Sequence, residues 1–420
     1  MTKATSGEAV VSNMVKLAHR MAVGFALLLA VFFLAGVARA QEPQTAEALV
    51  VQEDAAAAVA TCPRTVTADV VAFDQVFFWN RLGAVQPQGM IFALRRDVVP
   101  ISGTTLSPGN VQLRPDKRPR PIVLRMNVGD CLRINFQNYL NPTPVHNEQP
   151  ATRTASIHVI GMQLVGSIAS DGSNVGTNVS SLVPPGGSAV YRLYAQREGP
   201  HLLYSTAATT GGEGDGGQIP PGMFGAVNVE PAGSEWYRSQ VTAADLALAR
   251  TGTTPDGHPI INYNAVYPVG HPRAGLPILK MLQDTQIVHT DLRAIISGPN
   301  AGRFPVGTYP LNAVLPDRDQ PFREFTILYH DEIGAVQAFP IFQDPVFEFT
   351  LHSVRDGFAF NYGTGGIGAE ILANRFGVGP MFACNECKYE EFFLSSWTVS
   401  DPAQVVDVPA NTTDAGGNLI

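Results

Sequence analysis

From Cys62 onward the chain is cut into short β-branched and aromatic runs, and glycine or proline stops each one before a helical turn pattern could extend: TVTADVVAFDQVFFWN, GMIFALRRDVV, PIVLRMNVGDCLRINFQNYL, TASIHVIGMQLVG, GSAVYRLYA, HLLYST and GAVNVEP. A residue pattern of period two places alternate side chains on opposite faces of a strand, so runs of this length spaced by turns predict an antiparallel sandwich or barrel. With 40 glycines and 32 prolines in 420 residues, few windows remain in which a long helix could propagate. The expected class is therefore all-β, as a Greek-key sandwich over residues 62–232. Within it, PIVLRMNVGDCLRINFQN reads as the clearest hairpin-like piece, two apolar runs broken at Asn127 to Asp130.

A looser stretch follows over 233–321, in which QVTAADLALA predicts a helix. The segment LPILKMLQDTQIVHTDLRAII is amphipathic enough to be ordered and is expected to form an inter-domain connection. A second β-rich block occupies 322–420, through REFTILYH, AVQAFPIF, VFEFTLHSV, FAFNY, KYEEFFLSSWTV and QVVDVP.

The beginning of the chain reads as an address. Lys16, His19 and Arg20 precede an apolar run from Met21 to Val37, and Ala38-Arg39-Ala40 follows. Small residues at −3 and −1 after such a core predict a secretory signal over residues 1–40, cleaved before Gln41. A membrane anchor is the alternative, because the run is near the shortest that spans a bilayer. No Arg-Arg pair precedes it, which favours general secretion over a twin-arginine route. Cleavage would leave a mobile leader over 41–61 and no stable membrane anchor, in a periplasmic or secreted protein.

Charge then excludes one partner class. The chain carries 28 Lys+Arg against 36 Asp+Glu, and the first forty residues hold Lys3, Lys16, Arg20 and Arg39 but only Glu8, so the remainder is more acidic still. No nucleic acid is expected to bind, since a duplex binder needs cations to displace counterions from phosphate. The 45% hydrophobic content against 15% charged also excludes a disordered solvating chain.

In an oxidising compartment cysteines are read first as disulfides. Cys62 and Cys131 both border expected strands, and pairing them would tie the N-terminal strand to the sandwich. Cys384-Asn385-Glu386-Cys387 is a C-x-x-C that admits three roles: a small structural disulfide, a redox pair, or half of a metal site.

The order of segments VGDCLRINFQN, ASIHVIGMQL, SLVPPGGSAVYRLYA, EGPHLLYST and GMFGAVNVEP resembles the multicopper oxidases, in particular large bacterial copper oxidases related to manganese oxidases. REFTILYHDE and EEFFLSSWTVSDPAQVVDVPAN are similar to later parts of that family, so the resemblance covers most of the chain after the leader. It implies cupredoxin-like domains, copper as cofactor, and a small reductant or metal ion with dioxygen as partners. In the family, one-electron oxidation of a metal ion or phenol is coupled to dioxygen reduction.

The ligand motifs depart from the family. Its His-x-His places two imidazoles on one side of a strand. Here His158 stands in the first position and Ile160 in the second. The following Trp-x-His-Ser-His aligns with Leu202-Leu203-Tyr204-Ser205-Thr206, which holds neither histidine, while His201 lies three residues before the expected place. His158 and His201 are the candidate copper ligands. A blue-copper site needs a thiolate with two imidazoles, yet no histidine follows Cys384 or Cys387, the last being His352. Two expectations follow: the chain is the N-terminal portion of a larger copper oxidase, or it is a non-catalytic cupredoxin-like binding or scaffold protein.

Other signals are weaker. Gly212-Glu-Gly-Asp-Gly216-Gly217 runs into Gln-Ile-Pro-Pro, which cannot open a phosphate-binding helix, so a loop is expected. Gly363-Thr-Gly365-Gly-Ile-Gly368 follows FAFNY and is the one rival for a dinucleotide site, without a recognisable βαβ crossover. His146, His258, His271, His289, His330 and His352 are read as surface or hydrogen-bonded histidines, and Glu386, Glu390 and Glu391 as a solvated strand end. No G-x-S-x-G or H-E-x-x-H occurs.

Overall fold

Alternation along Thr65–Asp74, β1, sets the first layer. Val66, Ala68, Val70 and Ala72 enter the central core, and Val71 and Phe73 join a smaller cluster on the opposite face with Ile91, Val98, Leu113 and Tyr139. The computed structural model describes residues 62–78, 84–117, 119–147, 149–212, 216–239, 241, 243–253, 255, 259–298, 322–337 and 354–361. The apolar run Met21 to Val37, both Gly-rich motif centres, His258, His352 and the C-x-x-C at 384–387 lie outside them. Among the described residues no helix is long and apolar enough to cross a membrane.

Two sheets face each other. In the first, β1 pairs with Met90–Leu94 (β2) antiparallel and with Cys131–Asn138 (β4) parallel, in register from Thr65↔Cys131 to Ala72↔Asn138. Strand β4 then pairs with Ser188–Tyr194 (β7), and β7 with Gln163–Leu164 (β6). The second sheet has the order Ile122–Asn127 (β3), Phe224–Glu230 (β9), Gly199–Tyr204 (β8), His158–Val159 (β5). Strands β3 and β9 run parallel and the other pairs antiparallel. Between the sheets Phe92, Leu124, Phe136, Tyr191, Leu193, Leu203 and Val227 are buried, each large apolar side chain contributing roughly 1.5–3 kcal/mol. The chain is all-β, as the punctuated runs predict, with the short helix Ala243–Ala249 (α1) where QVTAADLALA calls for one.

The hairpin reading of 121–138 is corrected. β3 and β4 do not pair with each other; they belong to opposite sheets, and Asn127–Asp130 arches from one to the other. The arch is held from both sides, because Val128 N–H donates to Glu230 O in the second sheet and Gly129 N–H to Ala195 O beside the first. Gly129 sits at φ 87°, a left-handed conformation that glycine adopts at least cost. Asp130 completes the arch by accepting from the Asn127 N–H at 2.8 Å. A disulfide joins Cys62 to Cys131 and fixes the start of β1 to β4.

Residues 233–298 do more than connect. Glu235–Arg238 (β10) pairs with Arg293–Ser297 (β13), which pairs with Phe322–Phe325 (β14). Leu282–Gln283 (β11) and Gln286–Ile287 (β12) form a ribbon, and β12 extends the first sheet by pairing with β1 at Thr67. Tyr237, Leu246, Tyr267, Ile278, Leu279 and Ile295 make a core of their own. Leu292 and Leu328 cover Val123, Phe224 and Ala226 on the outer face of the second sheet. Strand β3 is therefore buried on both sides, which is why its sequence lacks apolar-polar alternation. Leu328–Gln337 (β15) and Val354–Asn361 (β16) form a further antiparallel pair.

Candidate functional site

The two segments that resemble ligand motifs meet in space. Strands β5 and β8 pair with His158 opposite Tyr204 and Val159 opposite Leu203. Pleat parity then sets the faces: His158 and Tyr204 lie on the outer face, while Leu203 and Val159 point into the core. The His158 and Tyr204 rings meet edge to face with centroids 5.5 Å apart.

The His158 ring is aimed by its backbone surroundings. Its Nδ1 lies 2.8 Å from the Asp171 carbonyl, which can only accept, so Nδ1 carries a hydrogen and Nε2 is the ring nitrogen left without a partner among the described residues. The Asp171 carboxylate is 3.4 Å from the same nitrogen. Gly172, at φ 74°, allows this approach, because a Cβ there would stand 2.0 Å from the Ile157 carbonyl oxygen. A hydrogen-bonded Nδ1 with a free Nε2 is the arrangement of a metal-binding imidazole.

The remaining ligand positions are occupied by other chemistry. Ile160 is 47% exposed and apolar. Thr206, in the second motif, donates its hydroxyl to the Gly172 carbonyl at 2.6 Å and its backbone N–H to the Ser156 hydroxyl oxygen at 3.1 Å. His201 does not join His158. It faces Val227 on β9 in register, two residues from Leu203 and so on the inner side of the strand, and its Nδ1 is held by the Ile160 carbonyl at 2.8 Å. The two candidate ligands thus share a hydrogen-bonding style but stand on opposite faces of one sheet. Among the described residues no group of three or more His, Cys, Asp or Glu side chains could hold a metal, and Cys62 and Cys131 are bonded to each other. One imidazole on a face, without a thiolate, does not fit the family's copper centres.

Further along the outer face the polar groups are of another kind. Phe224, in register with Tyr204, meets the His330 ring at 4.8 Å. Burial lowers the His330 pKa to about 4, against the opposing pull of the Pro220 and Ile219 carbonyls and of Asp331. At the β3–β9 edge, Arg125 is 1% exposed, and its Nη2 and Nε donate to Glu324 Oε1 at 2.7 and 3.0 Å. Its Nη1 donates to Asp291 O at 2.6 Å. Glu230 lies 3.6 Å from Arg125 Nε. Burial and the neighbouring Glu324 push the Glu230 carboxyl well above its usual range. Glu324 moves down despite its own burial, because Arg125 and the hydrogen bonds of Glu230 and Asn228 favour its charge. The two carboxyls therefore share one proton against one guanidinium. Sequence reading passed over this group; the available signal was a charged residue inside the unbroken apolar strand Ile122–Asn127.

No family model matches the chain, and no curated protein does. Among solved structures, a multi-copper oxidase from Pseudomonas thermotolerans is similar at 21% identity over 40% of this chain and 30% of its own, with a TM-score of 0.24. A blue copper oxidase from Nitrosomonas europaea matches at 19% identity over 40% of each chain, TM-score 0.25. A copper nitrite reductase from the same organism matches at 15% identity over 40% of this chain and 42% of its own, TM-score 0.24. The matched part spans less than half of each of these proteins, and the all-β class of the present chain rests on its own strands.

Proposed function

We propose that this chain is an exported multicopper-oxidase-like protein in which residues 62–232 supply a framework domain rather than the copper centre. In this reading 233–321 connect it to a second domain of the same kind over 322–420, and the larger oxidase of which it is the N-terminal portion holds its copper outside the described residues. Bound there, copper would couple one-electron oxidation of a metal ion or phenol to the reduction of dioxygen. The supporting observation is the His158↔Tyr204 register, which lays the two ligand-bearing segments of the family side by side with His158 Nε2 left open.

A second reading, a non-catalytic cupredoxin-like scaffold of the periplasm, is favoured by the Thr206 hydroxyl, which is engaged with Gly172 where the family needs an imidazole. Copper content, visible spectrum and dioxygen uptake of the protein isolated from its own cells separate the two. An oxidase contains copper and consumes dioxygen with manganese(II) or a phenol. A colourless, copper-free protein without uptake supports the scaffold. The 420-residue chain alone should show no intense blue thiolate absorption after copper loading, and such a band would overturn the framework reading.

A further inference from the structure

A buried cluster next to the Arg125 group, which it meets at Asp291, carries more positive than negative charge among the described residues and borders a small space. Lys117 Nζ pairs with Asp97 Oδ1 at 3.0 Å, and Arg120 approaches Asp291 at 3.7 Å. Arg238 reaches Asp291 at 3.3 Å and Asp245 at 3.5 Å, and Arg273 holds Asp245 at 3.0 Å. Among the described residues Lys117, Arg120, Arg238 and Arg273 thus pair with Asp97, Asp245 and Asp291. His289, packed among them, adds no charge: burial, with Arg238 and Lys117 nearby, holds its pKa well below the usual value.

Lys117, Arg120, Thr290 and Asp97 line one cavity of about 20 Å³, whose remaining wall is apolar, including Phe92, Leu113 and Ile122. That volume accommodates one water molecule or one monatomic ion, a single occupant needing roughly 10–15 Å³. Three donors at the cavity are unspent. Lys117 uses one of its three N–H groups on Asp97. Arg120, at 3.7 Å from its carboxylate, makes no hydrogen bond among the described residues. The Thr290 hydroxyl likewise makes none, although Thr290 is only 5% exposed. Solvent reaches the place, since the Lys117 and Arg120 side chains keep 17% and 23% of their surface.

We propose that this cavity is a binding site for a small monovalent anion of halide size, held by Lys117, Arg120 and Thr290. An anion accepts hydrogen bonds from all three donors and offsets the surplus positive charge, whereas a water molecule, though it could donate to the Asp97 carboxylate that also lines the cavity, would accept two hydrogen bonds and leave the charge uncompensated. Desolvation lowers the Lys117 pKa even with Asp97 beside it, which is the uncompensated cost that a second counter-charge relieves.

The test compares thermal unfolding of the full chain in sodium chloride or bromide with sodium gluconate at equal ionic strength, gluconate being too large for the cavity. The halides should raise the melting temperature by at least about 2 °C over gluconate, saturably. Arg120→Gln, and the double variant Asp97→Asn with Lys117→Met that leaves no orphaned carboxylate, should lose that increment. Arg114→Gln, whose partner is the neighbouring Asp116, should keep it. Crystals grown in bromide should show an anomalous peak between Lys117 and Arg120. Equal melting in all salts, an increment that survives Arg120→Gln, or a cavity holding only water in the bromide map each overturns the proposal. If the double variant does not fold, Arg120→Gln and the wild-type bromide map still decide.

Discussion

The two ends of the second sheet's outer face make opposite use of polar side chains. At the β5–β8 end, His158 is oriented as a ligand would be, yet its in-register neighbour is Tyr204 and no second imidazole reaches it. At the β3–β9 end, buried Arg125, Glu230 and Asn228 and half-buried Glu324 are bonded to one another, and Leu292 and Leu328 close over the adjoining apolar residues. The first end keeps orientation without chemistry. The second spends its polar groups on holding β14, which follows β3 by about two hundred residues, against the sheet. The sheet's measurable energetics should therefore lie at the β3–β9 end, and substitutions can break that contrast or sharpen it.

The largest effect is expected from Arg125→Met. Removing one partner of a buried ion pair leaves uncompensated charge, and here Glu324 and Glu230 would face each other alone; a loss of about 3–5 kcal/mol is expected. Urea unfolding of wild type and variant measures it. A loss below about 1 kcal/mol would show that β14 is held by its backbone pairing instead.

His330, beside Phe224 in the middle of the face, should contribute to acid sensitivity alongside the buried His289. Its folded pKa of about 4 lies below the unfolded value of 6.5. The unfolded chain thus binds a proton that the native site refuses, and the stability present above pH 6.5 is lost as pH falls towards 4. The linkage amounts to about 3 kcal/mol. His330→Gln should make that limb shallower in unfolding curves recorded from pH 7 to 4, leaving the share of His289, and an unchanged limb would show that His330 carries none of it.

Glu230 should act in the opposite direction. Its folded pKa is raised, so the native state keeps a proton that the unfolded chain releases at the ordinary carboxylate pKa, and stability declines as pH rises from there through the folded value. Glu230→Gln keeps the hydrogen bond without the charge and should gain about 1–2 kcal/mol near pH 7–8. Glu324→Gln should lose stability, because Glu324 is the carboxylate that Arg125 holds ionised. Equal responses of the two variants would contradict the unequal sharing of the proton.

Much of the first layer could be read from the sequence, because alternation and turn residues are local signals: β1, β4 and β7, the helix at 243–249 and the proximity of Cys62 to Cys131 follow from them. Alternation at His201 and Tyr204 even assigns their opposite strand faces. The arch at Asn127–Asp130 could not be read in this way. A hairpin and an arch share the same apolar–turn–apolar pattern, and only the partners of Val128 and Gly129, at Glu230 and Ala195, distinguish them. Arg125 was visible as a charge inside a buried run, but its carboxylates at 230 and 324 have no local spacing that would announce them.

The smallest effect is expected at the ligand-like end, and it is the sharpest test of the contrast. His158 is half-buried, with one hydrogen bond to the Asp171 carbonyl and one ring contact to Tyr204, so His158→Ala should cost no more than about 1 kcal/mol. If the end is orientation without a metal, the variant should also leave copper titrations of the chain unchanged. The reverse substitution asks whether geometry survives. Because Tyr204 is the in-register partner on the same face, Tyr204→His would set two imidazoles across one pleat pair, with Nε2 of His158 already free. Metal uptake by that variant, seen as copper or zinc retained through gel filtration and lost again in His158→Ala/Tyr204→His, would mean that the paired backbone can hold a metal and only the side chains withhold it. Failure of the variant to take up metal while it unfolds at the wild-type midpoint would mean that the backbone itself does not bring two imidazoles to one metal.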